Sequence, residues 1–154
     1  MHTTMGHAAA QSVGIILIED DDGHATLIER NLRRAGLTNS FKRLADGQQA
    51  LDYFFGDGAT YQGAGASPCV VLLDLKMPRI DGCEVLRRLK ADKRTAWLPV
   101  IVLTTTDDPR EIERCYELGC NVYVTKPVEY DAFIEAVRRL GFFLQVVKLP
   151  AGVR

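Results

Sequence analysis

Cys69-Val70-Val71-Leu72-Leu73-Asp74-Leu75-Lys76-Met77-Pro78 is an apolar run that stops at a single carboxylate. Uninterrupted hydrophobicity rich in Val and Leu predicts a strand covered on both faces, as in a parallel sheet, rather than an alternating surface strand. In open parallel sheets ligands bind beyond the carboxyl ends of the strands, so Asp74 stands where a substrate can reach it while its strand stays buried.

Working outward, the same signature recurs upstream. Val13-Gly14-Ile15-Ile16-Leu17-Ile18 is a second buried-strand run, and it too ends in acid, at Glu19-Asp20-Asp21-Asp22. Asp21 or Asp22 can cap a helix whose apolar positions Ala25, Ile28, Leu32 and Ala35 keep helical spacing, with Gly36 as the stop. Ser40 to Leu44 predicts a short strand, and Asp46 to Phe55 a helix with Ala50, Leu51, Phe54 and Phe55 facing inward. Residues 56 to 68, rich in Gly and Ala, predict an extended surface loop leading into the Asp74 strand.

Downstream, Asp81 and Gly82 open a helix with Val85, Leu86 and Leu89 on one face, and Pro99 starts the strand Val100-Ile101-Val102-Leu103, which ends in Thr104-Thr105-Thr106. Asp107-Asp108-Pro109 signals the start of a helix carrying Ile112, Cys115 and Tyr116 and stopped by Gly119. A last strand, Asn121-Val122-Tyr123-Val124, runs into Thr125-Lys126-Pro127. Phe133, Ile134, Val137, Leu140, Leu144 and Val147 then keep helical spacing. Such alternation predicts an α/β, doubly wound, five-stranded parallel sheet with flavodoxin-like (βα)5 order 2-1-3-4-5. Glu19, Asp20 and Asp74 then share one crevice with Thr104 and Lys126.

The chain has 154 residues, enough for one domain with a proper core. The expected layout is a leader over residues 1–12, a domain over 13–141 and an apolar extension over 142–154. Lys plus Arg number 19 against 20 Asp plus Glu, a net charge of −1, which gives no support to nucleic-acid or anionic-membrane binding. No signal peptide or membrane-spanning stretch is evident, and a cytosolic location is expected. Cys69, Cys83, Cys115 and Cys120 lack CxxC spacing and are expected to be reduced and structural. His2, His7 and His24 form no ligand spacing.

Three gathered carboxylates repel one another and raise one another's pKa unless a cation relieves the crowding. An all-oxygen set without His or Cys favours Mg2+, which takes a few carboxylates plus waters and a phosphate oxygen. Asp74 can then act as the nucleophile on phosphorus, with Lys126 offsetting charge on the equatorial oxygens and Thr104 donating a hydrogen bond.

Four motifs carry a resemblance that spans about residues 13 to 140. These are Ile18-Glu19-Asp20-Asp21, the segment Leu73 to Gly82, Leu103-Thr104-Thr105, and Tyr123-Val124-Thr125-Lys126-Pro127. Together they resemble response-regulator receiver domains, the phosphoacceptor modules of two-component signalling. The resemblance implies Asp74 as acceptor from a phosphohistidine, and Mg2+ held by Asp20, Asp74 and the Lys76 main-chain carbonyl, with Glu19 acting through water. It also implies a cis Lys126-Pro127 bond, and a switch in which Thr104 moves towards the phosphoryl group and the Tyr123 ring follows.

With few residues after Leu140, the expected output is protein contact or onward phosphotransfer to a downstream protein. Phe142, Phe143 and Val146 lie off the Leu140, Leu144, Val147 line, which leaves self-association and burial against the same chain both open. The ending and the 56–68 loop resemble single-domain regulators that partner bacterial and cyanobacterial phytochrome kinases and dimerise through the last helix and tail. Two other functions stay in view. One is a haloacid-dehalogenase-like Mg2+ phosphohydrolase, which would want a second carboxylate where Lys76 stands. The other is an interaction module with a silent site. A phosphoacceptor, at most slowly self-dephosphorylating, is the expectation, not an enzyme of rapid turnover.

Overall fold

The computed structural model describes residues 14–57, 61 and 69–146. The leader over 1–12, Val13 of the expected first strand, most of the 56–68 loop and the tail from residue 147 lie outside the described residues. Five strands and five helices alternate: β1 Gly14–Ile18, α1 Asp22–Arg34, β2 Phe41–Leu44, α2 Gly47–Phe55 and β3 Cys69–Leu73 come first. Then follow α3 Gly82–Ala91, β4 Val100–Thr104, α4 Pro109–Leu118, β5 Val122–Thr125 and α5 Tyr130–Val146. The strands form one sheet of order β2-β1-β3-β4-β5, parallel throughout, as the two acid-ended apolar runs predict.

Strand periodicity divides the core in two. Ile16, Ile18, Val71, Leu73, Val100 and Val102 face α2, α3 and α4, where Phe54, Val85, Leu86, Leu89 and Cys115 cover them. Ile15, Leu17, Val70, Leu72, Ile101 and Leu103 point the other way, onto Ile28 and Leu32 of α1 and onto Phe133, Val137 and Leu144 of α5. Every residue of β3 and β4 is buried, so truncating Leu72 or Val102 to Ala would cost about 2–5 kcal/mol. β5, at the sheet edge, has no fully buried residue.

Aspartates set the helix starts. Asp21, Asp46, Asp81 and Asp108 each accept a main-chain N–H of the first turn through their carboxylates, and Asp21, rather than Asp22, caps α1. Gly82 is demanded by packing: a Cβ there would meet the carbonyl oxygen of Asp74 and sit 2.7 Å from Leu75 Cα. At the far end of the fold Gly141 lets α5 lie close on α1, a Cβ there falling 2.8 Å from that of Ala35. Gln145 Nε2 adds a hydrogen bond to the Ala35 carbonyl at 2.6 Å.

Three expectations need correction. Tyr116 is not a core residue of α4: it is 49% exposed, and its hydroxyl accepts the Tyr123 main-chain N–H at 3.1 Å. Phe142, Phe143 and Val146 are not buried against the described residues, because Ala35 and Leu32 take up the Gly141–Leu144 side of α5 and leave these three at 52%, 50% and 70% exposure. Among the described residues no peptide bond is cis, Lys126–Pro127 included. Trans is the lower-energy form of an X–Pro bond, and in this form the lysine side chain already reaches the carboxylates. Among the described residues no helix is long and apolar enough to cross a membrane.

Candidate functional site

Parallel alignment of β1, β3, β4 and β5 carries Glu19, Asp74, Thr104 and Lys126 to the same edge of the sheet. Ile18 pairs with Leu73, so the acids that follow each strand are neighbours, and the Asp74 N–H donates to the Ile18 carbonyl at 3.0 Å. Thr104 pairs with Thr125, and the Lys126 N–H donates to the Thr104 carbonyl at 2.6 Å. Oxygens of Glu19, Asp20 and Asp74 lie within 4.8 Å of one another. Glu19, Asp74, Thr104 and Lys126 are all buried, whereas Asp20 is half-buried at the mouth.

Lys126 Nζ sits among the acids. It donates to Glu19 Oε1 at 2.5 Å and stands 3.7 Å from Asp74 Oδ2. Burial pushes the Glu19 carboxyl up from 4.5 to about 7; the Lys126 ammonium pulls it down, and the Asp74 charge adds a smaller upward push. Desolvation thus outweighs the mutual repulsion expected of three acids. The donors are hard oxygens, close enough for one ion to touch them all, so a hard divalent cation fits the pocket.

Thr104 Oγ1 is the unusual atom. It is fully buried and, with Asn31 Oδ1 and Tyr61 OH, is one of three buried side-chain polar atoms among the described residues without a hydrogen-bond partner. Such groups cost about 1–3 kcal/mol and call for an explanation. Tyr123, the other switch residue, is half-buried on the edge strand and donates its hydroxyl to the Thr106 carbonyl at 2.7 Å. The exposed Lys76 sends its main-chain N–H towards Asp74 Oδ1, a long contact of 3.5 Å.

Two participants escaped sequence reasoning. Arg43 on β2 donates to the Glu19 carbonyl through Nε at 3.0 Å and Nη2 at 2.8 Å, and pairs with Asp22 at 2.8 Å, so it pins the acidic turn. The available signal was an arginine one residue before the end of a strand that flanks the acid-ended β1. His24 Nδ1 lies 3.1 Å from Lys126 Nζ, and its ring centroid is 5.5 Å from that of Phe133, the two rings tilted by 59°. No local signal links residues so far apart in the chain.

Comparison with known proteins agrees with this geometry. The family model of the response regulator receiver domain matches residues 15–138. A response regulator receiver domain from Rhodospirillum rubrum superposes with a TM-score of 0.86 at 49% identity, covering 92% of this chain and all of that one. Response regulator Rcp1 of Synechocystis sp. is 32% identical over 139 residues, 90% of this chain and 93% of its own length. Its Mn(2+)-bound form superposes with a TM-score of 0.80 at 29% identity over 90% of this chain and 99% of that one. The phosphorylated cyanobacterial phytochrome response regulator RcpA superposes with a TM-score of 0.79 at 30% identity, over 90% of this chain and 98% of that one.

Proposed function

This chain belongs to the response-regulator receiver family, and from that premise we propose that it accepts a phosphoryl group on Asp74 from the phosphohistidine of a sensor kinase. The observation that carries the reading is the clustered carboxylate trio of buried Glu19 and Asp74 with half-buried Asp20, and Lys126 Nζ 3.7 Å from the acceptor. In the transfer an Asp74 carboxylate oxygen bonds phosphorus as the P–N bond to histidine breaks, and the imidazole leaves with the bonding pair. Lys126 supplies positive charge beside the transferred group, and Thr104 Oγ1, which lacks a partner at rest, gains an acceptor.

Asp20, Asp74 and the Lys76 carbonyl are the proposed holders of Mg2+, with Glu19 acting through water. Mg2+ would supply charge neutralisation at the phosphoryl oxygens when bound. As the Thr104 side chain turns inward, the ring of Tyr123 follows and its hydroxyl gives up the Thr106 carbonyl, which alters the β4–β5 face that partners read. Lys76, two residues after Asp74, is no general base for hydrolysis, which favours a held phosphoryl group over phosphatase turnover. Likeness to RcpA and Rcp1 supports a phytochrome-type kinase as donor and protein contact or onward phosphotransfer as output.

Acetyl phosphate with Mg2+ is expected to label the protein once, and Asp74→Asn to abolish the label. Label that persists in Asp74→Asn, or rapid multiple turnover of phosphomonoesters, would overturn this reading. A second proposal concerns assembly: Phe142, Phe143 and Val146 are exposed apolar residues on α5, the helix expected to dimerise, and they are the proposed contact between two copies. Removing residues 142–154 should then lower the mass found by light scattering from that of a dimer to that of a monomer, whereas a monomer both before and after the deletion would remove the dimer.

A further inference from the structure

A second group of potential ligands lies on the other face of the sheet from Lys126's neighbour α5. Cys83 comes from α3, and Glu111 and Cys115 come from α4, where spacing of four residues puts both on one helix face. Their ligand atoms lie within 4.8 Å of one another, and the Cys83 thiol donates to Glu111 Oε1 at 3.1 Å. Both cysteines are buried and free. We propose that Cys83, Glu111 and Cys115 form a separate site for a borderline-soft divalent ion of the zinc class, which ties α3 to α4.

The donor set decides the type of ion. Two sulfurs and one carboxylate oxygen suit zinc and its relatives, at about 2.3 Å for sulfur and about 2.0–2.2 Å for oxygen, and do not suit magnesium. The side chains are already gathered, so small rotations suffice to close the sphere. Three protein donors leave a fourth tetrahedral position. A cavity of about 210 Å³, bounded by Leu75, Lys76, Met77, Asp81, Cys83 and Glu111, gives it access to water or to the Asp81 carboxylate.

Charge is manageable as well. Binding exchanges two thiol protons for one dication and leaves a site of net −1, and the adjoining hollow of about 450 Å³ is lined by Arg79 and Arg114 together with Asp81 and Glu84. The rival chemistry for two neighbouring cysteines is a disulfide, and in this structure both are free thiols. The location matters for signalling, because α4, which carries Glu111 and Cys115, also holds the Tyr123 main-chain N–H through the Tyr116 hydroxyl. An ion clamped there holds α4 beside the residue that the β4–β5 face depends on.

Cobalt titration of the full chain, with Mg2+ in excess and a phosphine reductant, tests the proposal. One equivalent should give near-ultraviolet thiolate-to-cobalt charge transfer with tetrahedral visible bands, and added Zn2+ should erase them. Cys83→Ser should halve the charge-transfer intensity, and Glu111→Gln should weaken cobalt binding by about tenfold or more. Asp74→Asn should leave the spectrum unchanged, which separates this site from the all-oxygen pocket. Because Cys115 is a core residue, the Cys83 and Glu111 variants carry the test if Cys115→Ser does not fold. Absence of thiolate charge transfer at saturating cobalt, or bands that persist unchanged in Cys83→Ser, would overturn it.

Discussion

Replacing Thr104 by Val separates the resting protein from its phosphorylated form. In the resting structure Oγ1 is buried without a partner, so its removal relieves a desolvation cost instead of breaking a bond. A gain of about 1 kcal/mol is expected, which for a chain of this size raises Tm by roughly 2–4 °C. In the phosphorylated form the same hydroxyl donates to a charged oxygen, a bond worth about 1.5–3 kcal/mol. Affinity for beryllofluoride, a tetrahedral phosphoryl mimic, should therefore fall by roughly 10- to 150-fold in the presence of Mg2+. Thermal melts without ligand and calorimetric titration with beryllofluoride read the two effects independently. A variant that melts several degrees lower yet binds beryllofluoride as tightly as the parent would refute the reasoning, since the hydroxyl would then serve the resting fold and not the phosphoryl group.

Two further outcomes follow from the site's surroundings. With its carboxyl raised to about 7, Glu19 favours the fold fully below its unfolded value of 4.5, and that contribution is lost as pH rises through about 7. A divalent ion needs the ionised form, so the rise in Tm given by Mg2+ should grow between about pH 6 and about pH 8, and a constant rise would contradict it. Gly82→Ala forces a Cβ against the Asp74 carbonyl and should cost about 1–3 kcal/mol, lowering Tm and slowing acetyl-phosphate labelling; a parent-like melt would disprove the contact.

Most of the fold could be read directly from hydrophobic period. Cys69–Leu73 and Val100–Thr104 are apolar without interruption because helices cover both faces, and the acids or threonine that end each run fall on one sheet edge by geometry alone. Chain crossovers in a parallel sheet bring such ends together without any pairing code, which is why Glu19, Asp74, Thr104 and Lys126 were identifiable. Contacts that depend on side-chain reach were not. His24 touches Lys126 across 102 positions, and Arg43 reaches Glu19 across 24, neither with a period to betray it. Cys83 and Cys115 showed no motif spacing because they come from two helices whose neighbourhood only the packed sheet creates. Tyr116 failed for the opposite reason: helical spacing marked it as inward, while its position near the solvent edge of α4 lets its hydroxyl serve the exposed N–H of Tyr123.

The contrast between β3 and β5 has an evolutionary consequence. The acceptor follows a strand with every residue buried, where substitutions are punished by packing, while Tyr123 belongs to an edge strand with none fully buried. Mutational tolerance is therefore distributed unevenly: chemistry resides in the intolerant centre and recognition at the permissive rim. A lineage can rewrite residues along β5 and α4 to meet a new listener without retuning the reaction, so duplicated copies of such a gene can diverge in whom they address while still being charged in the same way.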